Sequence, residues 1–157
     1  MTIGSALRRI RLRRRSGGRA SLDPTVTIAR GAVVEVGASG ALVVGEGSAI
    51  GRGARIIVGS GSLRIGRNVE VCEGSSITVL AEVEIGSGVS LGARSAVMDF
   101  LPPAGTVEAP LREQRIATAP VRIGDGASIG PNAVVGAGAV VLPGEKVMPG
   151  ATVGRVV

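Results

Sequence analysis

The sequence predicts an all-β chain wound as a parallel β-helix of about six triangular coils, and three observations carry that prediction. The first is a six-residue period. Ile123, Ile129, Val135, Val141, Val147 and Val153 follow one another at intervals of six, as do Val44, Ile50 and Ile56, then Ile65, Val71 and Ile77, then Ile85, Leu91 and Val97, with Ile28 and Val34 opening the series. The second is a column of turn residues. Three positions after these aliphatics stands Gly or Asn in thirteen cases of seventeen, and both asparagines of the chain, Asn68 and Asn132, fall there. Gly and Asn tolerate positive φ, so each six-residue unit closes in a tight left-handed corner. The third is composition. With no Trp, no Tyr and one Phe, yet 45% hydrophobic residues, the interior must be narrow and filled by Val, Ile, Leu and Ala.

The elements follow in chain order. Residues 1–22 form a basic N-terminal segment holding Arg8, Arg9, Arg11, Arg13, Arg14, Arg15 and Arg19 without an acid, a charge of +7, and the rest of the chain sums to −1. Ile3, Ala6, Leu7 and Ile10 fall at i, i+3, i+4 and i+7, an apolar helical stripe. Two readings stay open: a short helix whose apolar side caps the first coil, or a basic amphipathic segment lying on an anionic membrane surface. Nucleic acid is not an expected partner, because the body offers neither a basic groove nor stacking aromatics. From residue 23 to 157 the chain is a single solenoid domain. Two residues before each inward aliphatic sits a second small or aliphatic one, Ala127, Ala133 and Ala139 among them, with Glu145 the exception. Six strands stacked about 4.8 Å apart give a prism on the order of 29 Å tall.

The register breaks four times. Three breaks are short, near 38–42, 59–62 and 80–82. The fourth, between Val97 and Ile123, extrudes the Pro-rich loop 99–120. A long loop on a compact repeat scaffold is commonly a binding or catalytic element.

Around this loop the sequence resembles the hexapeptide-repeat acyltransferases, specifically the maltose, galactoside and lipopolysaccharide-type O-acetyltransferases. The resemblance lies in repeats such as Ile123-Gly-Asp-Gly-Ala-Ser and Ile129-Gly-Pro-Asn-Ala-Val, in Ser95-Ala-Val-Met-Asp-Phe before the loop, and in Pro120-Val-Arg-Ile-Gly-Asp closing it. It spans roughly residues 25 to 153. It implies a left-handed coil, whereas the general rule for crossovers favours the opposite hand. It also implies transfer of an acyl group from acetyl-coenzyme A or another acyl-coenzyme A, as a co-substrate and not a resident cofactor, to a hydroxyl of a sugar or related small molecule. The site would lie between neighbouring subunits of a homotrimer. Carried over by position, the family's Asp is Asp99 and its general-base His is Phe100. Substrate contacts map to Arg112, Gln114 and Arg115, and coenzyme contacts to Ala127, Ser128, Ala133 and Ala139. No metal is implied, and no His exists to hold one.

The departures shape the functional expectation. The chain has no histidine at all, Ser128 stands where the family often has Trp, and the sequence closes on Gly154-Arg-Val-Val without the family's Gly-x-Pro-Ala segment. Phe100 reads either as a ring filling the vacated space or as the wall of a pocket for an apolar group. Asp99 reads as a solvated corner or turn-forming residue, with a stand-in base as the less favoured role. Glu108 and Glu113 read as solvated loop acids, and Cys72, directly after the inward Val71, as an inert packing residue. Two functions remain: an acyltransferase with weakened or altered catalysis, and a non-catalytic β-helix that binds or scaffolds, partnering an active homologue. A lone cysteine, no signal sequence and no long apolar run lead to the expectation of a cytoplasmic protein, peripheral at the inner membrane face if the N-terminus binds lipid.

Overall fold

The computed structural model describes residues 3–101 and 116–156. A helix, α1 (Ile3–Arg15), precedes six triangular coils. The first coil is β1 (Ala20–Leu22), β2 (Thr27–Ile28) and the start of β3 (Val33–Val44). Because β3 runs on around a corner, its second half opens the second coil, which continues through β4 (Ala49–Ile50) into β5 (Arg55–Ile65). That strand likewise turns a corner to open the third coil, followed by β6 (Glu70–Val71) and β7 (Ser76–Val79). The fourth coil is β8 (Glu82–Ile85), β9 (Ser90–Leu91) and β10 (Ala96–Met98). A short pair, β11 (Phe100–Leu101) and β12 (Ala117–Thr118), then stands at the root of the extruded loop. The fifth coil is β13 (Val121–Ile123), β14 (Ser128–Ile129) and β15 (Val134–Val135), and the sixth is β16 (Val140–Val141), β17 (Lys146–Val147) and β18 (Thr152–Val153).

Every coil-to-coil pairing between these strands is parallel, with a register shift between Val36 and Ser39 where β3 pairs with β5, and Ile28 on Ile50 on Val71 on Leu91 on Ile129 on Val147 forms one column. The architecture is the left-handed parallel β-helix anticipated above. Three columns of this kind fill the interior with Val, Ile, Leu and Ala, as the period required. Burying each side chain of that size is worth roughly 1.5–3 kcal/mol, so the stacked columns are the main source of stability. Serine enters the inner positions only where its hydroxyl is used. Ser48 Oγ donates to Gly66 O at 2.8 Å and accepts from Val69 N at 3.1 Å, and Ser75 Oγ donates to Gly92 O at 2.9 Å. Glu145 points outward, and its carboxylate accepts Leu142 N–H at 2.7 Å.

The corners follow the Gly/Asn column with two exceptions. Asn68 and Asn132 have φ of 51° and 60°, and Gly126 and Gly138 have 69° and 74°. Gly37 and Gly59 do not take positive φ, which corrects the expectation for them: they lie inside β3 and β5, where the strand rounds the corner in extended form. A different glycine column has a different cause. At the position just after the inward aliphatic, a Cβ on Gly66 would sit 2.7 Å from Ser87 N, and one on Gly92 would sit 2.6 Å from Pro131 N. These glycines let successive coils approach each other.

Helix α1 packs against β1 and β2, through the face opposite to the one the capping reading required. Ser5 and Leu12 are buried, while Ile3, Leu7 and Ile10 are exposed. The reason is the unpaired edge of the first coil, whose free N–H and C=O groups need polar partners. Ile28 N donates to Ser5 Oγ at 2.9 Å, Arg8 Nη1 donates to Ile28 O at 2.8 Å, and the Arg9 guanidinium donates to Val26 O. The helix stops in Ser16-Gly17-Gly18, with both glycines at positive φ and Gly18 N donating to Arg13 O.

Candidate functional site

The four register breaks, scattered along the sequence, stack on a single edge of the prism. Successive inward aliphatics across this edge are ten residues apart from Val34 to Val44, nine from Ile56 to Ile65, eight from Ile77 to Ile85, then twenty-six from Val97 to Ile123 and six from Val135 to Val141. The pairings of β3 with β5, of β5 with β7 and β8, and of β10 and β13 with the coils below them place these segments one above another. The edge thus tightens coil by coil and opens once, at the loop.

Asp99 sits at that opening with no exposed surface. Its carboxylate accepts three backbone N–H groups from the corner of the coil below: Leu80 N on Oδ1 at 2.9 Å, and Ala81 N and Glu82 N on Oδ2 at 2.7 and 2.8 Å. The chain leaves the stack here, so the carbonyls that would normally satisfy that corner are absent, and the carboxylate replaces them. Asp99 O also accepts Ala119 N–H at 2.9 Å, and Ala119 O accepts Gly138 N–H at 3.2 Å, which fixes both ends of the loop to the coils. The expectation of a solvated Asp99 is corrected. It does form a turn, but the turn belongs to the neighbouring coil. With three amides on its two oxygens and no exposed surface, Asp99 lacks the access that a general base needs.

Phe100 is half-buried in β11, paired antiparallel with Thr118, while Leu101 pairs with Ala117. It is part of the two-rung stem of the loop. Arg112, Gln114 and Arg115, with Glu108 and Glu113, lie outside the described residues. Ala127, Ala133 and Ala139 are buried with their methyl groups inside the prism, and they precede β14, β15 and β16 on three different edges. Their side chains therefore cannot line one coenzyme surface. Ser128, half-buried between Ser90 and Lys146 in the stack, faces outward. Cys72 is half-buried, and burial together with the nearby Glu70 carboxylate pushes its thiol pKa up, against a nucleophilic role. Among the described residues no group of His, Cys, Asp and Glu is arranged to hold a metal.

The sequence reading missed a second concave feature. Just past the loop, Arg122 reaches Glu82 at 3.0 Å and Glu84 at 3.2 Å. With Arg64 in register on the coil below Glu84, this forms a ladder of alternating sign beside an open groove floored by Val140 and Leu142. Such half-exposed pairs contribute little to stability, but they set the polarity of the groove wall. The signal was present as Arg64, Glu84 and Arg122 on outward positions. It became legible only once the insertions were known to stack.

The sequence matches no family model and no curated protein sequence. Solved structures match in fold. One is a mutant of AntD, an N-acyltransferase from Bacillus cereus in complex with dTDP and coenzyme A. It has a TM-score of 0.65 at 14% identity, over 85% of this chain and 71% of that one. Two others are mutants of perosamine N-acetyltransferase from Caulobacter crescentus in complex with coenzyme A and GDP-perosamine. Their TM-scores are 0.57 and 0.58 at 20% and 22% identity, over 96% and 92% of this chain. The chain spans 62% and 60% of the length of those two. At these identities the likeness is one of fold.

Proposed function

We propose that this chain is an acyl-coenzyme A-dependent acyltransferase of weakened catalysis, acting on a hydroxyl of a sugar or related small molecule at the edge where loop 99–120 emerges. The observation that carries the proposal is the rooted loop itself: one extruded segment on an otherwise regular left-handed prism, opened by Asp99-Phe100 and closed by Pro120-Val121-Arg122-Ile123-Gly124-Asp125. The fold shared with coenzyme A-bound acyltransferases supports the choice of acyl donor. The chain supplies position without a base. Loop and groove hold the two reactants together, an effect that can contribute several kcal/mol by itself. The acceptor's proton must leave to water, because no imidazole is present in any subunit of an assembly of this chain. The loss is about 10²–10⁴-fold in rate. A neutral amine acceptor would suffer less than a hydroxyl, since its lone pair attacks before its proton must leave.

The second reading, a non-catalytic binding or scaffolding subunit working with an active homologue, is favoured by the full engagement of Asp99. Calorimetry with acetyl-coenzyme A separates the two, followed by turnover on hydroxyl- and amine-bearing sugars. The transferase reading expects saturable binding and slow turnover. Absence of binding would overturn it, and robust turnover would remove the weakened chemistry. Phe100→His is expected to raise the rate by less than about 10²-fold, because the Asp99 carboxylate is turned to three amides of the coil below and is not poised to orient the new ring. A larger gain would show that the acid can leave its three amides.

A homotrimer with parallel axes is proposed with this function, supported by the exposed Val43, Val140, Leu142 and Met148. Light scattering at micromolar concentration is expected to give the mass of three chains, and a monomer mass would count against it.

A further inference from the structure

Helix α1 leaves its apolar ridge unused. Ile3, Leu7 and Ile10 are 82%, 52% and 50% exposed, on the side of the helix opposite the Ser5, Arg8 and Leu12 contacts with the first coil. The ridge runs for about 10 Å along the helix axis. At its C-terminal end stand Arg11, Arg13, Arg14 and Arg15, all exposed, and no acid occurs in residues 1–22. The arginines thus divide into two sets. Arg8 and Arg9 reach inward to carbonyls of the first coil, and Arg19 donates to Gly37 O at 3.0 Å. Arg11, Arg13 and Arg14 border the ridge, three or four residues from Leu7 or Ile10 on the helix, while Arg15 lies toward the first coil beside Leu12, Val34 and Glu35.

We infer that this outward face of α1 docks on an anionic lipid surface. The inference is independent of the transfer chemistry. Three aliphatic side chains bordered by the guanidinium groups of Arg11, Arg13 and Arg14 match the interfacial boundary of a bilayer, where acyl chains receive the ridge and phosphates receive the arginines. A second copy of the chain fits less well, because apposing two ridges would bring Arg11, Arg13 and Arg14 of each copy together with no acid on the helix between them. A nucleic acid would use the arginines and leave the ridge in water, with no aromatic side chain to stack on a base. The polar anchoring of the inner face is what frees the ridge. Ser5 and Arg8 hold the helix to the first coil through backbone groups, so the apolar side need not turn inward. No helix among the described residues is long and apolar enough to cross a membrane, so contact of this kind would lie in the surface plane.

The test is cosedimentation of the full chain with vesicles at near-physiological salt. Vesicles of phosphatidylcholine with phosphatidylglycerol are compared with phosphatidylcholine alone. Binding is expected only to the mixed vesicles, falling roughly tenfold or more for the double variant Leu7→Asp/Ile10→Asp and again for Arg11→Glu/Arg14→Glu. All four side chains are exposed, so circular dichroism should show both variants folded. Three results would overturn the inference: no cosedimentation of the unaltered chain; binding unchanged in the Leu7/Ile10 variant, which would leave charge alone; or a lipid-free oligomer that dissociates in that variant, which would assign the ridge to a second copy.

Discussion

Replacing Asp99 with alanine is expected to destabilise the protein by about 3–5 kcal/mol, among the larger effects of any single side chain outside the apolar columns. The carboxylate accepts three amides of the corner below, at 2.7 to 2.9 Å, in a place without solvent access. Hydrogen bonds to a charged acceptor contribute about 1.5–3 kcal/mol each in favourable cases, and removing the acceptor leaves three amides of half-buried residues without it. Asp99→Asn should cost about half as much, because one oxygen remains while the amide nitrogen confronts a donor. In thermal unfolding the alanine variant is expected to lose roughly 6–20 °C, at about 2–4 °C per kcal/mol for a chain of this size. Limited proteolysis should then cut within 99–120 before the coils. A loss under about 1 kcal/mol would mean that water satisfies the corner as well as the carboxylate does.

A second large effect is expected from glycine, with opposite outcomes at two positions that look alike in the sequence. Gly53 has φ of 66°, and a Cβ there would meet nothing within 4 Å. Gly66 has an ordinary φ, but its Cβ would lie 2.7 Å from both Ser87 N and Ser87 Oγ and 2.8 Å from the Gly86 carbonyl carbon. Gly53→Asn should therefore cost under about 1 kcal/mol, since Asn accepts the left-handed region, as Asn68 and Asn132 do here. Gly66→Asn must push two coils apart through the middle of the stack. About 2–4 kcal/mol, or failure to fold, is expected. Urea unfolding of the pair measures the difference. Equal costs would show that one mechanism, backbone freedom or close approach, explains both columns.

The sequence alone determined the prism. A period of six, with two inward positions per unit and a corner residue tolerant of positive φ, reports an alternation that each short strand carries by itself. The number of coils, the inward columns from Ile28 to Val153 and the extruded loop were all legible. Tertiary structure decided what joins residues about twenty positions apart. Nothing in the local pattern says that the breaks near 38–42, 59–62 and 80–82 share an edge with the loop, because that alignment exists only once coils stack. The same holds for Asp99. Its type and its place at the loop suggested an exposed acid, whereas its role comes from three amides in another coil that lost their carbonyl partners when the chain departed. The N-terminal helix shows the principle most directly. Its apolar stripe left open whether that face would cap the first coil or turn outward, and the end of a β-stack offers unpaired backbone groups as well as apolar surface. Ser5 and Arg8 satisfied those groups and left Ile3, Leu7 and Ile10 outside. Side-chain periodicity records apolar surface and carries no record of backbone donors and acceptors left unpaired by the fold, and those decided the site and the docking face.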